Sequence, residues 1–342
     1  MNNYNNIIFD IAEINDKIIT YINPQKRVDL EAGKMGSCIY FFRQARWLNE
    51  LKYQELAEKL LDEIFIGLIK EGNVLSPYEL AQIGIGIEYL VEQKYIKGNI
   101  NIILSDLDSL LYRKLTHNSA IFNYQIIGII PTLYFICMRI KQQKKGSDSK
   151  FMMEEVCIKF FNDLYLSLDY RFYEEPLLFN FFDYKLPQFL YVVRKMYSLE
   201  FYNYRIIEVL KEISGLILSR MPVLHANRLY LLWSLLHLKN ATGLYTWNEQ
   251  IDMLINYIDY QKIIQSELHN KDVFIRDGVA GIYLLLNALK DSSHPILFDK
   301  TLFRKRIEES YIWNDELAYE NLGLINGFSG LIWVYFSILN EE

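Results

Sequence analysis

Apolar residues return every three or four positions along nearly the whole chain, as in Leu56, Leu60, Ile64 and Leu68 or Leu229, Leu232, Trp233 and Leu236. This is the spacing of one buried helical face, and runs that alternate apolar with polar residues are weak. The pattern predicts an all-α protein. Local signals mark where helices begin. Ser76-Pro77-Tyr78-Glu79 combines an N-cap serine, a proline at the first helical position and a glutamate that can close a capping box. Thr246-Trp247-Asn248-Glu249 repeats that chemistry, so a helix is expected from each.

A second, longer period lies over the helical one. Gly278-Val279-Ala280-Gly281-Ile282 is echoed by Gly327-Phe328-Ser329-Gly330-Leu331 and by Gly33-Lys34-Met35-Gly36-Ser37. Degenerate copies stand between them, at Gly84-Ile85-Gly86, at Ile127-Gly128-Ile129 and, without glycine, at Lys185-Leu186-Pro187 and Ala226-Asn227-Arg228. Positions 33, 84, 128, 187, 227, 278 and 327 are 51, 44, 59, 40, 51 and 49 residues apart. Each interval accommodates two helices and their turns, giving about seven helical hairpins in a single domain over 1–342. The longest interval holds the polar stretch from Lys141 to Lys150, read as a solvated loop between two helices because helical patterning resumes on both sides. Glycines three apart share a helical face and admit a close neighbour. Packing is the first reading of them, and the lining of a cavity by bare backbone is the second.

Composition narrows the possible chemistry. Hydrophobic residues are 51% and aromatics 15% of 342 residues, enough for a large core. The net charge is -6 and no basic stripe interleaves with aromatics, so no nucleic-acid partner is expected. Cys38, Cys137 and Cys157 are an odd number without CxxC spacing. They predict no disulfides, no thiolate zinc cluster and a reducing compartment. The opening Met1-Asn2-Asn3-Tyr4 carries no secretory pattern, and the apolar stretch from Ile126 to Met138 is too short to cross a bilayer. A cytoplasmic protein with no membrane partner is the expectation.

Seven units, of which the sixth and seventh carry G-x-x-G-[IL] at the start of a helix and the others carry degenerate forms, resemble the lanthionine synthetase C-like family, and the likeness spans nearly the whole chain. The resemblance implies an α/α toroid in which inner helices surround a cavity and outer helices enclose them. It further implies a peptide or small protein ligand in that cavity and addition of a cysteine thiol to a dehydrated serine or threonine. Zinc, the cofactor that the resemblance implies, would be held by a cysteine of the fifth unit and a Cys-His pair preceding the glycine of the sixth. Here Arg276 and Asp277 stand where that pair belongs, and Leu224-His225-Ala226-Asn227-Arg228 in the fifth unit has no cysteine. Arginine keeps its proton and cannot be a ligand, and its charge repels a dication. The expectation is therefore a protein of this type without metal or other cofactor, binding or assisting modification of a peptide without zinc-dependent cyclisation.

The candidate residues each carry two readings. Asp277 is either a catalytic carboxylate or an N-cap. Arg276 either binds an anion or pairs with a nearby acid. His225 is either a lining base or a structural histidine, and Asn227, which follows it at the same helix start, is with Arg276 and Asp183 a candidate for contacting the substrate. Glu88 is either a partly desolvated acid catalyst or an exposed helix residue. Asp183 and the Glu174-Glu175-Pro176 segment could pair with Glu88 in a carbohydrate-active α/α barrel. Tyr170, Phe172, Tyr173, Phe179, Phe181, Phe182 and Tyr184 are either stacking platforms or core. A non-catalytic interaction scaffold is the remaining alternative, marked by a large exposed apolar patch.

Overall fold

The computed structural model describes residues 11–72, 74–117 and 126–340. Met1–Tyr4, where the absence of a secretory pattern was read, and the side chains of Ile126 and Ile127 lie outside them. Among the described residues every regular element is helical. The helices are α1 (Ile11–Ile22), α2 (Lys34–Leu48), α3 (Leu51–Glu71), α4 (Pro77–Glu92), α5 (Ile100–Ile103), α6 (Ser105–His117), α7 (Ile126–Gln142) and α8 (Asp148–Leu166). They continue as α9 (Lys185–Tyr197), α10 (Asn203–Leu218), α11 (His225–Thr242), α12 (Asn248–Asn256), α13 (Tyr260–Lys262), α14 (Val279–Leu289), α15 (Lys300–Glu308) and α16 (Phe328–Asn340). None of them is long and apolar enough to cross a membrane.

The two helix-start signals fare differently. Ser76 accepts from the Glu79 amide while the Glu79 carboxylate accepts from the Ser76 amide, with Pro77 opening α4. That is the full capping box. At Thr246 no such box forms, and α12 begins two residues later at Asn248, without a side-chain cap. Trp247 is 1% exposed and its indole donates to Ser214 Oγ at 3.0 Å. Burial of that large side chain outweighs a capping bond worth about 1 kcal/mol. The Lys141–Lys150 stretch covers the end of α7, the short connection Gln143–Ser147 and the start of α8, where Ser147 caps the new helix by accepting from Lys150.

The described residues form two compact units. The first comprises residues through Gly67, Ile264–Leu284 and the chain from Leu297 onward. In it α2 packs on α16 and α15 on α16. Ile14, Ile18 and Ile22 of α1, Ile39 and Phe41 of α2, and Leu331, Tyr335 and Phe336 of α16 are buried. A polar triad crosses this core: Tyr40 donates to Asn15 Oδ1, and Asn15 donates to the Tyr53 hydroxyl at 3.0 Å.

The three clear glycine copies all lie in this unit and are built alike. The amide following the first glycine bonds the carbonyl six residues before that glycine, in Lys34→Arg27, Val279→Asp272 and Phe328→Asn321, each at 3.0 Å. A Cβ on Gly33, Gly278 or Gly327 would lie 2.5–2.6 Å or less from that folded-back backbone. Close approach of the loop to its helix is thus what requires glycine. The loops also pair in series. Arg276 N–H bonds Ile325 O, while Leu324 N–H bonds Leu30 O and Asn326 N–H bonds Glu31 O. The last copy therefore sits beside both the sixth and the first.

The second unit comprises Leu68–Ile263 and Leu285–Ile296. Here α4 packs on α7, α7 on α9 and α9 on α11, forming a row of four. Each member also packs on a following helix: α4 on α6, α7 on α8, α9 on α10 and α11 on α12. Four successive hairpins result. In the bodies of α7, α9 and α11 almost every residue is buried, except along one narrow stripe at helical spacing: Tyr134 and Met138, then Gln188, Tyr191 and Lys195, then Trp233 and His237. The fourth-unit aromatics are mostly core, since Phe172, Tyr173, Phe179 and Tyr184 are buried and Tyr170 is exposed.

Candidate functional site

The sixth-unit segment forms a closed ion cluster in the first unit. Arg276 donates through Nε and Nη2 to Asp277 Oδ2, both at 3.2 Å, and its Nη1 lies 3.6 Å from Glu31 Oε1 on the first-copy loop. Burial raises the Asp277 pKa, against the downward pull of Arg276. The amides of Val279 and Ala280 at the start of α14 bond the carbonyls of Asp272 and Val273. These first-turn donors are satisfied by the folded-back loop, so the N-cap reading of Asp277 gives way to ion pairing. Of the two readings of Arg276, the one the geometry carries is pairing with acids. The Arg276 guanidinium engages both neighbouring carboxylates, Glu31 and Asp277. Among the described residues no group of three His, Cys, Asp or Glu side chains is arranged to hold a metal ion.

The fifth-unit residues staple the start of α11 in the second unit. Asn227 is fully buried and donates to Glu175 Oε2 at 2.9 Å and to Pro176 O at 3.2 Å. Glu175 also accepts from the amides of Val223 and Leu224. His225 Nδ1 lies 3.0 Å from Tyr257 O and 3.1 Å from the Asp259 amide, and Arg228 donates to Tyr257 O at 2.8 Å. These contacts tie three chain segments together through backbone groups, a structural arrangement for His225 and Asn227.

Glu88 is buried, at 3% exposure, so the exposed-glutamate reading fails. Gln142 donates to its Oε1 at 3.1 Å, while Oε2 is buried with no hydrogen-bond partner among the described residues. Burial raises its pKa, against the downward pull of the Gln142 bond and the Arg139 charge. Arg139 is 1% exposed and donates through Nε and Nη2 to Asp108 and through Nη2 to Asn101. Glu88 therefore belongs to a network at one end of α4 and α7. Asp183 is exposed. The Arg139, Glu92 and Asp108 charges act on Glu88.

A different surface gathers more chemistry than any of these. On the accessible stripe of the helix row, Tyr134 of α7 stacks on Tyr191 of α9 at 6.0 Å between centroids, and Tyr191 stacks on Trp233 of α11 at 4.6 Å. His237 meets Trp233 edge-on at 4.8 Å and Tyr191 at 5.7 Å. Lys195 Nζ lies 5.5 Å from the centroids of both Tyr134 and Tyr191, and the Arg194 guanidinium lies 5.9 Å from that of Tyr191. Burial, with Arg194 and Lys141, lowers the Lys195 pKa. Burial, with Arg194 and Lys195, lowers that of His237 and keeps the imidazole neutral at pH 7.

The sequence held a signal for this face that repeat-loop reasoning passed over. Tyr134, Trp233 and Trp333 each stand six residues after a repeat position, at 128, 227 and 327. In the first unit Trp333 is part-exposed, carries the Arg43 guanidinium at 4.5 Å, and neighbours Ser337, which accepts from Arg43 at 3.3 Å. The three cysteines are free and buried, with Cys38 Sγ donating to Ala57 O at 3.3 Å and the Cys137 and Cys157 sulfurs 3.9 Å apart. Comparison with known proteins gives no matching family model and no matching curated protein.

Proposed function

We propose that this chain is an α/α toroid of the lanthionine synthetase C-like type that binds a peptide on the aromatic and cationic face of α7, α9 and α11, without zinc-dependent thioether cyclisation. The observation that carries the reading is that face: a row of rings at 4.6–6.0 Å, flanked by two cations, on helices whose bodies are otherwise mostly buried. Aromatic platforms with a few placed polar groups suit extended peptides, whose side chains stack while their termini and acids meet cations. The toroid is supported by two packing facts. The first and last glycine copies lie side by side within one unit, and four hairpins follow one another in a row within the other. The absence of cyclase chemistry rests on the Glu31–Arg276–Asp277 cluster at the position of the family's ligand pair.

The test is a pair of measurements on the full chain purified without chelators. Elemental analysis should find no stoichiometric zinc, and a pooled library of fluorescent dodecapeptides should bind, with binding reduced at least tenfold by Trp233→Leu. One tightly held zinc per chain with thioether formation on a dehydrated peptide would sink the zinc-free part. Peptide binding untouched by Trp233→Leu would sink the placement of the ligand. A carbohydrate-active reading gains from the same stacked rings, but it requires two facing carboxylates, and Glu88 is buried while Asp183 is exposed.

A further inference from the structure

On the peptide-binding reading just given, we infer that the face on α9 and α11 recognises a carboxylate, carried next to an aromatic or apolar side chain of the peptide, with Lys195 and Arg194 as its cationic partners. The argument starts from charge. Among the described residues neither Lys195 nor Arg194 has a carboxylate in ion-pair contact, whereas Arg139 and Arg276 are paired with acids and Arg228 is bonded to backbone. Arg194 Nε is buried and has no hydrogen-bond partner among the described residues. A third positive group, Lys141, acts on Lys195 with the same sign, against the opposing pull of Cys137 and Glu92. Like charges crowded in a half-buried place raise the free energy of the protein alone, and a bound anion relieves that cost.

The geometry then chooses among anions. A bare inorganic anion would use the cations and leave the adjoining rings of Tyr134, Tyr191 and Trp233 without a role. These rings extend in a row from the Lys195 ammonium, which lies 5.5 Å from two of them. They offer an apolar shelf contiguous with the charge. A ligand with a carboxylate one residue from a flat or apolar side chain satisfies both at once: the carboxylate meets the unpaired donors, and the side chain covers the shelf. His237 carries no charge at pH 7 and adds a hydrogen-bonding edge beside Trp233. A peptide C-terminus and an internal acidic residue both offer this chemistry.

The test titrates the full chain by calorimetry with three synthetic hexapeptides of sequence Ala-Gly-Ala-Gly-Ala-Phe. The first has a free C-terminal carboxylate, the second is amidated, and the third is amidated with glutamate in place of the last alanine. Charge-assisted hydrogen bonds are worth about 1.5–3 kcal/mol, so the free acid should bind roughly 10- to 100-fold tighter than the amide. Lys195→Met should erase that difference, and Lys195→Arg should restore most of it. Recovery by the glutamate peptide assigns the carboxylate to a side chain, and no recovery assigns it to the C-terminus. Equal binding of acid and amide, both weakened by Trp233→Leu, would overturn the carboxylate inference and leave peptide binding standing. No binding of any of the three would instead overturn the peptide reading. Inorganic phosphate binding as tightly as the free acid would overturn the contribution of the rings. Should Lys195→Met prove unstable, loss of the acid–amide difference in Arg194→Met serves as the second variant.

Discussion

Replacing Gly278 by alanine isolates the close approach on which the repeated loop depends. A Cβ there would lie 2.3, 2.4 and 2.5 Å from Asp272 C, Asp272 O and Val273 N, all backbone atoms. Ordinary contact begins near 3.4 Å, so the loop must retreat by about 1 Å. That retreat loosens Val279→Asp272 and Ala280→Val273, now 3.0 and 3.1 Å. Overpacking costs about 1–3 kcal/mol and each weakened bond about 1 kcal/mol. Against this, alanine lowers the entropy of the unfolded chain by the equivalent of about 0.4–1 kcal/mol. The net expectation is a loss of about 2–4 kcal/mol.

Two further substitutions separate the causes. Gly67 lies in α3, in the same unit, and its added Cβ would meet only a Val28 methyl at 3.5 Å, so Gly67→Ala should stabilise by about 0.5–1 kcal/mol. Gly243 has φ +67° and nothing within 4 Å, so Gly243→Ala meets backbone strain alone and should cost about 1 kcal/mol. Urea unfolding followed by far-ultraviolet circular dichroism, with midpoints compared at unchanged slope, gives the ranking. If Gly278→Ala costs less than Gly243→Ala, the close-approach account of the glycine motif is wrong.

Other outcomes follow from the same contacts. Asp108→Ala strands the buried Arg139 charge and should cost about 3–5 kcal/mol, with Asp108→Asn intermediate, by the same unfolding assay. Glu88 has a folded-state pKa raised above its ordinary value of 4.5 by burial, so its contribution is fully present below 4.5 and is lost as pH rises through the raised value. Glu88→Gln should therefore flatten the fall in stability above pH 4.5, and an unchanged pH profile would refute the assignment. All three thiols are buried, burial raises the Cys38 pKa, and the contact with Cys137 together with burial raises that of Cys157, so iodoacetamide should label none in the native protein and three after unfolding, read by intact mass.

Much of this architecture is legible in the chain, for reasons that differ from residue to residue. Helical class follows from apolar spacing, which local geometry alone converts into a buried face. The box at Ser76 is legible because capping is settled within four residues, whereas Thr246 misleads because the burial of Trp247 against Ser214 is not local. The glycines of the three clear copies announce a tight loop, and the six-residue fold-back common to them is the physical cause of the repetition. Glu88 reads as ambiguous in sequence since its burial depends on α7, and Asp277 reads as a cap since the loop carbonyls that replace it cannot be seen there.

By itself, then, the sequence determined the helical elements and the glycine repeat, because each is written in neighbouring residues. Tertiary structure alone decided what those residues do: that Arg276 is held by Glu31 from a loop 245 positions away in the chain, and that Tyr134, Tyr191 and Trp233 from three helices stack into one row beside Lys195. Stacking distances and unpaired charge arise from which helix faces meet, and no single helix carries that information.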